Sequence, residues 1–350
     1  MKCIFFINPG SGAGAGEKLA EEIELFQLPP AVSRQVVFTD PARLHAQVHS
    51  CASCKDLVII CGGDGTINRV ISHLLHLDPL PAVAFIPLGT GNDIARSTGW
   101  YDSWEKLGLN GLYYSMRKAR TGSLDIWELT FSGKGHKKEY VFAGYAGLGC
   151  DGRICTEFMN LNNFLGGLSL PPPARRLFYF PPGLKILFHD FMGRTRIEFL
   201  MDTCSSGGIY SQSRTASQIL FLNISSYAGG TLVMRASNFS DGRLECLLFK
   251  SCLGYLFRIL ISRFMGSRNM PFHARGSCFR FKIFKDAYFQ LDGEPYGIVA
   301  GGSEALIQHK RVIAVLKPLK DDLSRSLLSA EEIKGYGRAH ASPAAKPVIT

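Results

Sequence analysis

The chain has 350 residues, of which 46% are hydrophobic, and its formal net charge is +10 at pH 7. This length and apolar content allow about two domains with a large buried core, which excludes a small scaffold that depends on disulfides. The basic balance attracts phosphates, nucleic acid and anionic lipid alike, but no helix-turn-helix or zinc-finger pattern is present, so nucleic acid is excluded as a partner.

The first third of the chain alternates predicted strands with predicted helices. Short apolar runs predict strands over residues 2–7, 36–39, 56–61 and 82–86. Apolar residues at helical spacing predict helices over residues 16–28 and from Ile67 onwards, and Asp40-Pro41 is a typical start for a third helix. We therefore predict an α/β N-terminal domain with a parallel, Rossmann-like sheet over residues 1–122.

Beyond residue 122 the pattern changes to short strand-like runs separated by turn signals. These runs cover residues 124–131, 139–146, 196–200, 219–225, 243–250, 278–284, 287–291, 305–309 and 312–316. They predict a mostly antiparallel β-sandwich domain over residues 123–318, interrupted by an irregular insert at residues 160–192. The polar composition of residues 319–350 predicts a C-terminal tail that is partly disordered.

The sequence carries no evident signal for secretion or for crossing a membrane. The apolar run at residues 2–7 is too short for a signal peptide, and no stretch approaches the roughly 18 uncharged residues of a membrane span. The ten cysteines are scattered, and Cys51 with Cys54 is a lone C-x-x-C pair, which indicates packing residues in a reducing compartment rather than a zinc site. We therefore expect a cytoplasmic protein.

Two glycine-rich loops each follow a predicted strand and precede a helical pattern. They read C-G-G-D-G-T-I-N at residues 61–68 and P-L-G-T-G-N-D at residues 87–93. Glycines let backbone N–H groups converge on an anion, and the helix behind each loop adds partial positive charge. Asp64 would repel a bare phosphate, but it suits a phosphate that carries Mg²⁺. Because neither loop matches the P-loop or the dinucleotide fingerprint, the pattern by itself predicts only a site for a phosphate ester with its metal ion.

Six short blocks resemble, in the same order, the signature blocks of the diacylglycerol kinase family. They are N-P-G-S-G at residues 8–12, G-G-D-G-T at 62–66, P-L-G-T-G-N-D at 87–93, A-G-Y-A-G-L-G-C-D at 143–151, S-D-G-R-L at 240–244 and L-D-G-E-P at 291–295. The resemblance runs from about residue 2 to residue 318, and the block at 87–93 is closer to diacylglycerol kinases than to kinases of sphingoid bases.

The resemblance implies ATP-dependent phosphorylation of the hydroxyl of diacylglycerol, which gives phosphatidic acid. The residues implied in nucleotide binding are Asn8, Thr39, Gly62, Gly63, Asp64, Gly65, Thr66, Asn68, Gly89, Thr90 and Asn92. Asp64 is expected to work with Mg²⁺, and Asp93 and Asp125 to complete an acidic cluster that faces the cleft. Glu294 is expected to act as general base, and Asp241 to belong to a structural metal site.

Plainer interpretations of some of these residues stay open on the sequence alone. Glu294 and Asp241 both lie in segments typical of hairpin turns, and Asp125 is also placed to cap or turn the chain. The acceptor could instead be a sphingoid base, ceramide or monoacylglycerol. A catalytically inactive nucleotide- or lipid-binding regulator is a further alternative, which the intact acidic residues disfavour.

Two segments are candidates for contact with an anionic membrane surface, to which we expect the protein to bind peripherally. Residues 160–192 combine aromatic side chains with cations, although the same aromatics could pack on the sandwich. A weaker candidate is the patch of Phe257, Arg258, Arg263 and Phe264, which could equally belong to a core helix. The sequence also leaves open a homo-oligomer.

Overall fold

The structure is a computed structural model, and it describes residues 2–53, 56–133, 136–164, 197–203, 212–266 and 270–319. Within these ranges the chain forms a ten-stranded sheet, a six-stranded antiparallel sheet and a two-stranded hairpin. The larger sheet contains a parallel part and an antiparallel part, and the smaller sheet packs against the antiparallel part.

The parallel part is built from the first third of the chain. Its strands are β1 (Lys2–Ile7), β2 (Ser33–Phe38), β3 (Leu57–Gly62) and β4 (Ala82–Pro87), in the order β2-β1-β3-β4. The helices are α1 (Ala15–Leu25), α2 (Leu44–Cys51), α3 (Asp64–Leu74), α4 (Asp93–Ser97), α5 (Trp100–Leu107) and α6 (Leu109–Lys118), with a 3₁₀ turn at Ser11–Ala13. β1, β3 and β4 are almost wholly buried and apolar, as expected for parallel strands covered on both faces.

The antiparallel part of the large sheet comes from the later chain. Its strands are β5 (Thr121–Gly133), β6 (His136–Phe142), β8 (Ile197–Thr203), β9 (Gln212–Ala216), β15 (Cys278–Ile283) and β18 (Glu304–Leu316). One edge of β18 pairs with β5 along its length, while the other edge pairs with β15 near its start and with β4 near its end. The last described strand is therefore shared by the parallel and antiparallel parts.

The second sheet and its helices complete the described structure. The sheet has the order β14-β13-β10-β7-β16-β17. Its strands are β7 (Tyr145–Gly149), β10 (Gln218–Leu222), β13 (Leu244–Phe249), β14 (Phe272–Gly276), β16 (Ala287–Leu291) and β17 (Glu294–Val299), and the hairpin is β11 (Ser226–Tyr227) with β12 (Thr231–Leu232). Helix α7 (Cys150–Phe164) lies against β16 and β17, and helix α8 (Cys252–Met265) follows β13. Buried side chains from both sheets, Phe221, Phe279 and Phe289 among them, form the sandwich core.

The predicted fold class is confirmed: an α/β part with a parallel sheet precedes a mostly antiparallel sandwich. Several local predictions differ from the structure. Helix α2 begins at Leu44 rather than at Asp40, because the Asp40 carboxylate accepts hydrogen bonds from Ala42 N and Arg43 Nε in a turn before the helix. The runs at 305–309 and 312–316 are one strand, which a register shift after His309 does not interrupt.

The predicted insert at residues 160–192 begins within helix α7, and from residue 165 it lies outside the described residues. The predicted domain limits stay predictions, although β18 joins the sheet across the limit at residue 122. Cys278 is disulfide-bonded, so the expectation that the cysteines serve only in packing is wrong at that position, while Cys3 and Cys61 are free and buried.

Candidate active site

A cleft of about 570 Å³ opens at the carboxyl ends of β1, β3 and β4, where it meets the second sheet. The walls from the first part of the chain are polar and rich in glycine: Asn8, Gly10, Ser11, Gly12, Gly63, Asp64, Gly65, Thr66, Gly89, Thr90, Gly91 and Asp93. The opposite walls are Tyr145, Asp151, Ile154, Cys155, Phe158, Tyr227, Ala228, Gly229, Tyr255, Leu256, Ile259, Arg263, Asp292, Gly293 and Glu294. One half of the cleft wall is therefore polar and rich in glycine, and the other half is largely apolar.

The two glycine loops cross in contact with one another. A Cβ atom added to Gly89 would lie 2.4 Å from the Cα atom of Gly63, so neither position admits a side chain without moving the other loop. Asn92 fixes the second loop, since its Oδ1 accepts from Gly89 N at 2.9 Å and its Nδ2 donates to Gly89 O at 2.7 Å. Bare backbone thus faces the polar half of the cleft, as anion binding by main-chain N–H groups requires.

Asp64 joins the first loop to the second. Its Oδ2 accepts from Asp93 N and its Oδ1 accepts from Ile94 N, both at 2.9 Å, at the beginning of α4. Burial, and then the nearby charge of Asp93, raise the pKa of Asp64 from 3.8 to about 8, although the two backbone N–H bonds oppose the shift. A buried carboxylate with such a raised pKa on a cleft wall is typical of a functional site.

Asp93 lines the cleft but is fully engaged with protein donors. Its Oδ1 accepts from Ser226 Oγ at 2.6 Å and from Gly230 N at 2.8 Å, and its Oδ2 accepts from Gly229 N at 2.9 Å and from Tyr145 Oη at 3.2 Å. In this structure the Asp93 carboxylate therefore holds the β11–β12 hairpin against the second glycine loop.

Glu294 comes to the cleft from the other side, as the first residue of β17. A Cβ atom added to Gly65 would lie 2.3 Å from Glu294 Oε1, so the carboxylate lies directly over the first turn of α3. Its side chain is 44% exposed, and Arg69 Nη2 is 3.8 Å from its Oε2. The structure thus brings Glu294 and the first glycine loop together, 229 positions apart in the chain from Gly65.

Other residues expected to bind the nucleotide make hydrogen bonds within the protein that support the glycine loops. Asn8 Nδ2 donates to Thr66 Oγ1 at 2.9 Å, and both side chains reach the cleft. Asn68 is buried and donates to Val141 O and to Asp292 Oδ2. Of the residues expected in nucleotide binding, Thr39, Gly62, Asn68 and Asn92 lie outside the cleft wall.

The structure does not bring Asp125 and Asp241 to the cleft. Asp125 lies on β5, where its Oδ2 accepts from Gly242 N at 2.6 Å and its Oδ1 is 3.2 Å from His309 Nε2. The expectation that Asp125 faces the cleft with Asp93 is therefore not met, because β5 directs it to the S-D-G turn instead. Asp241 is ion-paired with Arg275 and accepts from Arg243 N, so a metal ion beside it would have to displace an existing cation.

Two buried acids on the far side of the cleft were not singled out in the sequence. Asp292 accepts from the backbone N–H groups of Ala143, Gly144 and Tyr145 as well as from Asn68. Asp151 accepts from Tyr227 Oη, Tyr255 Oη and Gln290 Nε2. Burial raises the pKa of both carboxyl groups, which these hydrogen bonds oppose. Both acids lie within the signature blocks at residues 143–151 and 291–295, so the signal was present in the sequence. Their hydrogen-bond partners, however, are up to 224 positions away in the chain.

The apolar half of the cleft comes from two helices. Ile154, Cys155 and Phe158 project from α7, and Leu256 and Ile259 project from α8. α7 approaches β16 very closely, since a Cβ atom on Gly152 would lie 2.7 Å from Phe289 N. The hydrogen-bonded side chains of Asp151, Tyr227 and Tyr255 line the same side of the cleft as these apolar residues.

The fold and the cleft define an α/β protein with crossed glycine-rich loops that face an antiparallel sandwich. A solved structure of a putative diacylglycerol kinase from Bacillus anthracis str. Sterne has the same fold, with a TM-score of 0.60 and 18% sequence identity over 90% of this chain and 97% of that chain. Residues 2–124 match the family model for the diacylglycerol kinase catalytic domain, and residues 141–295 match the one for the diacylglycerol kinase accessory domain. The chain belongs to the diacylglycerol kinase family.

Curated relatives support the same assignment at low identity. Diacylglycerol kinase 1 of Arabidopsis thaliana is 25% identical over 311 residues, and human diacylglycerol kinase zeta is 27% identical over 255 residues. These matches cover 84% and 65% of this chain, but only 42% and 26% of the relatives. The chain thus spans less than half the length of these two curated relatives.

Proposed function

We propose that the protein is a lipid kinase that transfers the γ-phosphoryl group of ATP to the hydroxyl of diacylglycerol, giving phosphatidic acid. The observation that carries this proposal is the placement of Glu294 over Gly65, at the junction of the glycine-rich and apolar halves of one cleft. Family membership supports a lipid acceptor, and the apolar walls of α7 and α8 suit its acyl chains.

In this proposal the crossed loops hold the nucleotide phosphates through backbone N–H groups, with Thr66 and Thr90 donating from their hydroxyls. Glu294 accepts the proton of the acceptor alcohol. The hydroxyl oxygen forms a bond to the γ-phosphorus, the bond from that phosphorus to the β,γ-bridging oxygen breaks, and the proton passes to the carboxylate. Such a reaction depends mostly on positioning and charge neutralisation, with proton removal by a carboxylate as a further contribution.

Mg²⁺ fits Asp64 as a partner of the bound nucleotide. In the described ranges no group of three or more His, Cys, Asp or Glu residues is placed to hold a metal ion by itself. Mg²⁺ is commonly bound by one or two carboxylates together with phosphate oxygens. Each Asp64 oxygen accepts one backbone N–H bond, which leaves a lone pair for a cation. Bound Mg²⁺ would neutralise charge on the transferred phosphoryl group.

The test is a panel of lipid alcohols in mixed micelles with labelled ATP. We expect label on diacylglycerol, and label confined to ceramide or sphingosine would overturn the acceptor assignment. Asp64→Asn should remove nearly all transfer. The amide keeps an acceptor for only one of the two backbone N–H groups at the start of α4, so circular dichroism checks that the fold is retained. Glu22→Gln, on the exposed face of α1, is the control. Full turnover by Asp64→Asn would overturn the role of Asp64.

We also propose that α8 carries the protein to an anionic membrane surface. No helix in the described part of the chain is long and apolar enough to span a membrane. α8 instead exposes one apolar stripe, which consists of Leu253, Phe257, Leu260 and Phe264 at 62%, 60%, 56% and 79% exposure. These positions recur at helical spacing, so they share one face of the helix.

The other side of α8 supports this orientation. Leu256, Ile259 and Arg263 line the cleft, so a single helix joins the apolar stripe to the proposed acceptor site. Arg263 and the net charge of +10 favour anionic lipid. A lipid lifted from the bilayer would then have a short path along α8 into the apolar half of the cleft.

A further inference from the structure

A second cavity lies away from the cleft, between helices α4, α5 and α6 and the end of β18. Its volume is about 620 Å³. The cationic residues among its described lining are Arg96, Lys106, Lys118, Arg120 and Lys317, and Asp102 is the one acid in that set. A concave wall with one sign of charge concentrates the electrostatic potential and raises the local concentration of counter-ions.

These cations come from separate parts of the chain. Arg96 belongs to α4, Lys118 ends α6, Arg120 precedes β5, and Lys317 follows β18. The backbone holds the last two side by side, since Lys317 N donates to Arg120 O at 2.7 Å. Bringing like charges together in one cavity is unfavourable by itself, so the arrangement suits an anion that binds among them.

The serine hydroxyls beside this cavity are engaged with or packed against the helices. Ser103 Oγ is buried against α6, since a Cβ atom on Gly111 would lie 2.7 Å from it, and it has no hydrogen-bond partner among the described residues. Ser115 Oγ donates to Gly111 O and accepts from Leu319 N. The cationic side chains are therefore the groups that would contact a ligand.

Arg96 connects this cavity to the glycine loops. Its Nε donates to Gly91 O at 3.2 Å, and its guanidinium lies 3.4 Å from the ring centre of Tyr101. The same guanidinium borders the β11–β12 hairpin, because a Cβ atom on Gly230 would lie 3.2 Å from Arg96 Nε. One side chain therefore touches the cavity, the second glycine loop and the hairpin that Asp93 holds.

We propose that this cavity binds a phosphate-bearing anion, and that the bound anion orders the loop at residues 89–93 through Arg96. The shared chemistry is a phosphate group, carried either by a free ion or by a lipid headgroup. The cavity is lined by side chains outside the proposed catalytic set, so binding itself does not depend on the proposed kinase activity. The regulatory consequence for catalysis does rest on that function.

The binding test uses calorimetry on the full chain with the cleft blocked by a non-hydrolysable ATP analogue. One arm titrates inorganic phosphate and the other titrates a short-chain, soluble phosphatidic acid. We expect Lys118→Gln/Arg120→Gln to weaken binding at least about tenfold, since two charged hydrogen-bond donors are lost. Arg117→Gln is the matched control, because Arg117 lies on the same helix, is exposed, and is outside the cavity wall.

Each result decides the proposal. Phosphate binding that the double variant weakens supports a free ion, and lipid binding alone supports a headgroup. Equal binding by wild type and the double variant, or an equal loss in Arg117→Gln, would overturn the site. Hydrogen exchange tests the link to the loop: addition of the anion that binds should slow exchange at residues 89–93 in wild type, and unchanged exchange despite binding would refute the role of Arg96. Neither readout requires lipid phosphorylation, so failure of the kinase proposal would be seen separately in the lipid panel.

Discussion

Replacement of the two phenylalanines of the α8 stripe by serine should detach the protein from anionic vesicles. Phe257 and Phe264 expose 60% and 79% of their surface, and they lie two turns apart on one face. Because both rings already face solvent, Phe257→Ser/Phe264→Ser removes little packing and should leave the fold stable.

The size of the effect follows from the exposed area. A phenylalanine carries roughly 200 Å² of surface, so the two rings expose about 280 Å² together. At about 25 cal/mol per Å², complete transfer out of water would contribute about 7 kcal/mol. Insertion to half that depth gives roughly 3.5 kcal/mol, which corresponds to a loss of at least about 100-fold in the partition coefficient on substitution.

The assay is sedimentation with vesicles of phosphatidylcholine with and without phosphatidylserine. Phe38→Ser/Phe284→Ser is the matched control, since each ring is 45% exposed, and Phe38 ends β2 while Phe284 directly follows β15. Wild type and control should bind the anionic vesicles equally, and the α8 variant should stay in the supernatant. Equal binding by all three proteins would refute the membrane role of α8. Equal loss in the control would show that scattered exposed rings, rather than this stripe, carry the binding.

Three further outcomes are expected. Glu294→Gln should lower kcat by about 10²–10⁴ without raising KM for ATP. Gly65→Ala should also lower kcat, because the added Cβ atom would lie 2.3 Å from Glu294 Oε1 and must displace that carboxylate. An unchanged kcat in either variant would count against the general-base role. Asp292→Ala leaves four buried N–H donors without an acceptor and should reduce the free energy of unfolding in urea by at least about 4 kcal/mol, whereas a loss below about 1 kcal/mol would contradict its structural role. Burial and neighbouring histidines lower the pKa of His73. As the pH falls below 6.5, the unfolded chain therefore protonates His73 before the folded chain does, and the free energy of unfolding decreases. His73→Gln should flatten that part of the profile of unfolding free energy against pH, and an unchanged slope would refute the lowered pKa of His73.

Patterns of neighbouring residues were sufficient to predict the parallel sheet and the two glycine loops. Each strand is a buried apolar run, and each loop is marked by its own glycines, so neighbouring residues hold the necessary information. Asp64 was placed correctly on the cleft wall for the same reason, since its loop begins α3.

Long-range contacts account for what the sequence did not predict. Asp125 is drawn away from the cleft by Gly242, which lies 117 positions later, and Asp93 meets the hairpin at Gly230 across 137 positions. The apolar spacing of α8 is the same whether its face is buried or exposed, so the exposure of Phe264 could only come from the packing of other elements.

The strand β18 has a consequence for how the cleft can exclude water. It pairs with β5 from Glu304 to Leu316 and reaches β4 at Val315, while Trp100 Nε1 fixes its end by donating to Leu316 O at 2.8 Å. β18 thus joins the parallel part, whose carboxyl ends form one side of the cleft, to the antiparallel part that packs against the second sheet on the other side. This connection resists a hinge motion of the two sides as rigid lobes. In the proposed function, closure over the substrates would therefore depend on smaller parts, namely the β11–β12 hairpin, the glycine loops and α8. If these elements move separately, a long lipid could enter between them from the side of the cleft, while together they would still keep water from the transferred phosphoryl group.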